Sequence, residues 1–126
     1  MTERAFPVVY AEDVDRCVRF YAGLGFEEHV RLSGDGAAGY VGLRRGSAEL
    51  AVVTVQSPRQ LIGVEPGTQP RFEMFIYVDD VDQQVTDHRD NGGTVLREAA
   101  DMPWGERVAY VADPEGNPVA IAAQSR

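Results

Sequence analysis

Lysine is missing from this 126-residue sequence, and cysteine and tryptophan occur once each. All twelve basic residues are arginine, against twenty acidic ones, for a net charge of −8 at pH 7. The sequence pI of about 4.6 speaks against nucleic acid and anionic membranes as partners, because a polyanion needs a concentrated basic patch. It is compatible with a cationic small molecule. Cys17 stands alone, so no internal disulfide can form, and a thiol on an apolar helix face reads as a small core residue. No apolar run approaches the roughly 18 residues of a membrane span. The opening MTERAFPVVY has neither a basic-then-apolar leader pattern nor a small-residue cleavage site, so a reducing, cytoplasmic setting is expected.

What is present is a repeat. Apolar residues make up 44% of the chain, ordinary for one folded domain of this length. VYAEDVDRCVRFYAGLGF (Val9 to Phe26) aligns with IYVDDVDQQVTDHRDNGG (Ile76 to Gly93) at a constant offset of 67, with six identities in eighteen positions. Periodic repetition of this kind fixes architecture before any single element does. An apolar strand, Phe6–Ala11, leads to Asp13 at a helix N-cap position. Val14, Cys17, Val18, Tyr21 and Leu24 then trace one helix face, and Gly23 and Gly25 stop it. Strands are predicted near 26–32, 40–44 and 49–55, divided by SGDG and RRGS. The second half repeats the order, with a strand over 72–78, Asp80 as N-cap and a helix over 81–91 ending at NGG. Further strands are expected near 94–98, 107–112 and 119–123. The acidic clusters EDVD and DDVD read as helix caps rather than as metal sites. The predicted organisation is module one over 1–56, a linker over 57–71 without periodicity, and module two over 72–126.

Two βαβββ modules in about 125 residues, the second closing on DPEGN, resemble the vicinal oxygen chelate superfamily, which includes glyoxalase I, extradiol dioxygenases and bleomycin-resistance proteins. The AFPVVYAEDVDRCVRFYAGLGF and MPWGERVAYVADPEGNPV segments are most similar to the bleomycin-resistance branch. The resemblance implies an α+β fold whose curved mixed sheets enclose a cup-shaped cavity. In the superfamily's enzymes, four cup-facing side chains hold one divalent metal, since imidazole and carboxylate suit such ions and open coordination sites do Lewis-acid work. The corresponding positions fall at Phe6, Ala51 (or Glu49 in a register two residues away), Glu73 and Ala120. Neither Phe6 nor Ala120 can ligate. His29 and His88 fall away from all four, on the second strand and on a helix, and His88 reads as a core-edge residue. No metal, cofactor or catalytic residue is therefore expected.

What the resemblance implies instead is a binding protein that sequesters a planar drug or metabolite. Strand alternation places Phe6, Val8 and Tyr10 on one face, and Glu73, Phe75 and Tyr77 on its equivalent in module two. Trp104 matches by motif a tryptophan that holds the drug's planar rings in bleomycin-resistance proteins. Its aromatic counterpart would lie in GDGAAGY, where Tyr40 is nearest. The expected ligand-binding set is thus Phe6, Tyr10, Tyr40, Glu73, Phe75 and Trp104, with Glu73 desolvated and selecting a cationic or hydrogen-bond-donating group. The alternative is a lyase-, isomerase- or dioxygenase-like enzyme. It would hold an atypical metal on Glu49 and Glu73, or use Glu73 as general base unless an arginine such as Arg107 neutralises it. Pro7, which lacks an N–H donor, suits an edge or exchanged strand, and a homodimer is expected. DPEG, with proline second and glycine fourth, reads as a type I turn and not as a reactive site.

Overall fold

The sequence repeat is also a structural one. The computed structural model describes residues 4–33 and 38–125, and the chain divides into two units, Met1–Pro66 and Gly67–Arg126. The first unit runs β1 (Val8–Ala11), α1 (Val14–Ala22), β2 (Glu27–Ser33), β3 (Ala38–Arg45), β4 (Ala48–Thr54) and α2 (Gln56–Ile62). The second runs β5 (Met74–Tyr77), α3 (Val81–Asp90), β6 (Val95–Asp101), β7 (Glu106–Ala112) and β8 (Pro118–Gln124). Each carries an open four-stranded mixed sheet, ordered β1-β4-β3-β2 and β5-β8-β7-β6. In each, the first strand pairs parallel to the last and the other pairings are antiparallel. The fold is α+β, built from two βαβββ modules. Of the predicted SGDG turn, residues 34–36 lie outside the described residues, as does most of GDGAAGY.

The helices begin and end as their residue types require. Asp13 Oδ1 accepts the Arg16 backbone N–H at 3.0 Å, and Asp80 Oδ1 accepts that of Gln83 at 3.1 Å. Both carboxylates thereby satisfy donors that have no partner within the helix. Both helices end on a glycine at positive φ, +96° at Gly25 and +82° at Gly92. The next amide reaches back to close the end, Phe26 to the Tyr21 carbonyl at 3.2 Å and Gly93 to that of His88 at 2.8 Å. An L side chain is strained at such a φ, which explains why this repeat position is glycine twice.

α1 buries Val14, Cys17, Val18 and Tyr21, and packs on β3 and β4. Each aliphatic side chain so buried contributes roughly 1.5–3 kcal/mol. α3 buries only Val81 and Val85. His88 takes the place of Tyr21, half-buried, with Nε2 3.1 Å from the Thr94 carbonyl oxygen. Its ring lies where a Cβ on Gly93 would sit, so glycine follows from the histidine's packing.

Three expectations need correction. The segment 57–71 is not entirely irregular, because α2 occupies its start and ends at Gly63 with φ +65°. Pro58 sits in its first turn, where a missing N–H costs no helical bond, and Leu61 and Ile62 are exposed, so no apolar stripe announces it. β1 begins at Val8 and β5 at Met74, leaving Phe6 and Glu73 outside the strands predicted to hold them. At this edge of the first sheet Pro7 offers only its carbonyl, which accepts from Ala51 N–H at 3.0 Å.

Candidate functional site

In the second unit, alternation sorts the strand residues onto two faces. Register places Phe75 beside Ala120 and Tyr77 beside Ala122, with Tyr110 and Val108 opposite those alanines on β7. Val108, Ala120 and Ala122 form a fully buried cluster against which Met102 and Tyr110 pack, and no α3 residue belongs to it. This is the sheet face turned away from the helix, with a floor of small side chains. Around the floor stand three large aromatics that are substantially exposed, Phe75 (42%), Tyr77 (49%) and Trp104 (59%). The Phe75 and Tyr77 rings are tilted at 37° with centroids 6.0 Å apart.

Glu106 ties this face together. Its Oε2 accepts the Tyr77 hydroxyl at 2.7 Å and its Oε1 accepts the Trp104 indole N–H at 2.8 Å. One half-buried carboxylate thus orients two ring planes. The hydrogen bond to Glu106 raises the Tyr77 phenol above its ordinary value, with desolvation and the nearby charge adding to it. Tyr77 therefore stays a donor throughout the neutral range.

Trp104 and Glu106 owe their positions to a turn that the chain uses twice. In MPWGE, Gly105 N–H closes on the Met102 carbonyl at 3.1 Å, and Met102 N–H reaches the Glu106 carbonyl at 2.7 Å. In DPEGN the same two bonds run from Gly116 to Asp113 and from Asp113 to Asn117, both at 2.9 Å. The two glycines have φ of +92° and +84°. Proline at the second position and a left-handed glycine at the fourth suit both hairpin ends of β7.

The second copy is a lock. Asp113 Oδ1 accepts the N–H groups of Glu115 and Asn117 at 2.9 and 2.8 Å, and its Oδ2 accepts Asn117 Nδ2 at 3.0 Å. Asn117, fully buried, also accepts the Arg71 N–H at 3.0 Å. DPEGN is a hairpin connection whose polar atoms satisfy one another.

The corresponding face of the first unit is chemically different. Tyr10 and Tyr40 are half-buried and flank Val53 in register, while Val8 and Gly42 flank Ala51. Glu49 is gripped by Arg4, whose Nη2 and Nε lie 2.6 and 2.8 Å from its two oxygens. That hydrogen bonding holds the Glu49 carboxyl below its ordinary value. Phe6 lies under the same guanidinium, 5.0 Å from its ring centroid. His29, expected far from this region, has Nε2 3.7 Å from Glu49 and Nδ1 3.4 Å from Arg44. Its ring stands over Gly42, at a register shift between Glu28 and Val30.

The four positions that hold metal in superfamily enzymes do not suit a divalent ion. Phe6 is apolar, Ala51 and Ala120 are fully buried methyl groups at equivalent places in the two sheets, Glu49, the alternative to Ala51, is engaged by arginine, and Glu73 is a lone exposed carboxylate. Among the described residues, no three His, Cys, Asp or Glu side chains are grouped to hold a metal.

Glu73 departs most from expectation. It is exposed to water, one residue before β5 starts, and it does not meet Arg107. That guanidinium forks onto Asp82 at 2.9 Å to each oxygen and approaches Asp101 at 3.5 Å. Of the six residues expected at the site, Phe75 and Trp104 share the second unit's aromatic face. Tyr10 and Tyr40 stand near each other in the first unit, and Phe6 and Glu73 belong to neither group. Glu106, Tyr110 and Met102 were missed. The shared P-x-G spacing of MPWGE and DPEGN was the signal that could have found Glu106.

Comparison with known proteins agrees with this architecture. The model of the glyoxalase-like domain family matches residues 7–122. A glyoxalase-related enzyme from Fulvimarina pelagi superposes with a TM-score of 0.79 at 25% identity, covering 97% of this chain and 88% of its own. A lactoylglutathione lyase from Agrobacterium tumefaciens shares the fold at a TM-score of 0.71 and 23% identity, over 97% and 93% of the two chains. So does a bleomycin-binding protein complexed with bleomycin, at 0.64 and 21% over 98% and 100%. No curated protein matches the sequence. On its repeat, its topology and a family match over nearly its whole length, the chain belongs to the glyoxalase-like domain family.

Proposed function

We propose that this protein binds and sequesters a planar small molecule, a drug or metabolite, on the aromatic face of its second sheet, as a homodimer and without catalysing its conversion. One observation carries the reading. At two of the four positions matched to metal ligands this chain has buried alanines, Ala51 and Ala120; Phe75 and Tyr110 flank Ala120, Tyr77 flanks Ala122, and Trp104 joins Tyr77 through Glu106. Exposed aromatic planes suit stacking on a heteroaromatic ring, worth about 0.5–1.5 kcal/mol per ring pair beyond area burial. The fold is shared with a protein complexed with bleomycin, which is compatible with this reading, and with a lyase, which is compatible with the enzymatic alternative. Glu73 stands in water, where a general base gains nothing from burial.

Titration of Trp104 fluorescence with planar heteroaromatic ligands tests the proposal, since this is the chain's one tryptophan. Saturable quenching is expected, and calorimetry with Trp104→Ala should show at least about a tenfold loss of affinity. Unchanged affinity in that variant removes the indole from the site. One tightly held divalent ion per chain, in protein purified without chelator, would favour the enzyme. A monomer mass by light scattering would remove the dimer.

A further inference from the structure

The half-buried glutamates of this protein differ in what holds them. Glu49 pairs with Arg4 and Glu115 with Arg71. Glu106 is held instead by a phenol and an indole, both neutral, and no arginine is placed against it among the described residues. Among the described residues it therefore has neutral donors and no arginine partner, at the start of β7 between Tyr77 and Trp104. A carboxylate has about four acceptor directions; Tyr77 and Trp104 use one on each oxygen, leaving a second on each. The adjacent basic residue cannot neutralise it, because the Arg107 guanidinium is committed to Asp82. Exposed ring faces around it add to the same preference, since aromatic quadrupoles attract cations.

Resting on the reading of this face as the ligand site, we propose that Glu106 is its specificity-determining residue. It selects planar rings that carry their positive charge on an N–H donor, as in an amidine, a guanidine or a protonated amine conjugated to the ring. The ring stacks on the aromatics while the donor meets a free acceptor direction of the carboxylate. This role passes to Glu106 from Glu73, which is exposed and outside the strand. The first sheet has no counterpart. Extending the register, Glu106 corresponds to Ala38 there, and Glu49 on that sheet is already bound by arginine.

Three quinolines of one ring shape separate charge from stacking at neutral pH: 4-aminoquinoline, a cation; quinoline, neutral; and quinoline-4-carboxylate, an anion. Calorimetry on the intact protein should find the cation bound about tenfold or more tighter than quinoline, as expected for one charge-assisted hydrogen bond, with the anion weakest. Glu106→Gln, whose amide can accept only one of the two donors, should bring the cation and neutral affinities within about twofold of each other, whatever loss the two ligands share. Tyr77→Phe, which keeps the carboxylate, should retain the preference. The wild-type ratio should also shrink as sodium chloride is raised, a readout that needs no variant. Equal binding of quinoline and 4-aminoquinoline, a preference that survives Glu106→Gln, or a ratio indifferent to salt overturns the role of Glu106 and leaves the stacking site standing. Failure of all three quinolines to bind at millimolar concentration overturns the site itself, and charge selection with it.

Discussion

Replacing Asn117 with alanine tests the turn lock that sets the β7–β8 hairpin. The substitution removes the Nδ2 donor 3.0 Å from Asp113 Oδ2 and the Oδ1 acceptor 3.0 Å from the Arg71 N–H. Asp113 is only 4% exposed and Asn117 fully buried, so water does not readily replace either partner. The bond to a charged carboxylate is worth about 1.5–3 kcal/mol, and the bond to the amide about 1 kcal/mol more. The two backbone N–H bonds to Asp113 Oδ1 survive, so the turn itself should persist. We expect a loss of about 3 kcal/mol, equivalent to a fall in Tm of roughly 10 °C for a chain this long. Calorimetric or circular-dichroism melts of wild type and Asn117→Ala give the answer. Thr86→Ala, on the exposed side of α3, serves as a control expected to change stability by less than about 0.5 kcal/mol. A fall of under about 2 °C in Asn117→Ala would refute the argument that buried polar satisfaction holds this hairpin.

Arg107 depresses the Asp82 carboxyl, chiefly by hydrogen bonding to it. A carboxyl lowered in the folded state contributes stability above its ordinary range and loses it as pH falls through the lowered value. Arg107→Gln should therefore differ most from wild type near neutral pH, with the gap in Tm closing as pH falls below the ordinary aspartate range; a constant gap would contradict the pairing. Cys17 is completely buried, so a thiol-selective reagent should label no cysteine in the native protein and one per chain in guanidinium. Rapid native labelling would contradict the packing of α1.

Much of the fold could be read from residue order, and the reasons are local. Asp13, Asp80, Gly25 and Gly92 each perform a task that few residue types can, so the helix ends were legible. α2 was not, because its Leu61 and Ile62 point into solvent and its N-cap Val55 makes no side-chain bond. Alternation assigned Phe75 and Tyr77 to one face correctly by register, yet it carries no information on where pairing begins. Glu73 therefore came out one residue before the strand. His29 was expected on the second strand away from the metal positions, and that placement gave no sign that its ring would reach Glu49. Trp104 was singled out by motif. Glu106 was not, since hydropathy is silent about a glutamate after a turn glycine, and its importance arises only when Tyr77 from another strand reaches it.

The central claim is that the second sheet's aromatic face is where ligand binds. Chemical-shift mapping by nuclear magnetic resonance during titration with 4-aminoquinoline tests it most directly. The account predicts that the largest, saturable changes fall on the Trp104 indole N–H, the ring signals of Phe75, Tyr77 and Tyr110, and the methyl groups of Met102, Ala120 and Ala122. Changes centred on Tyr10, Tyr40 and the Arg4–Glu49 pair, or scattered without saturation, would contradict it.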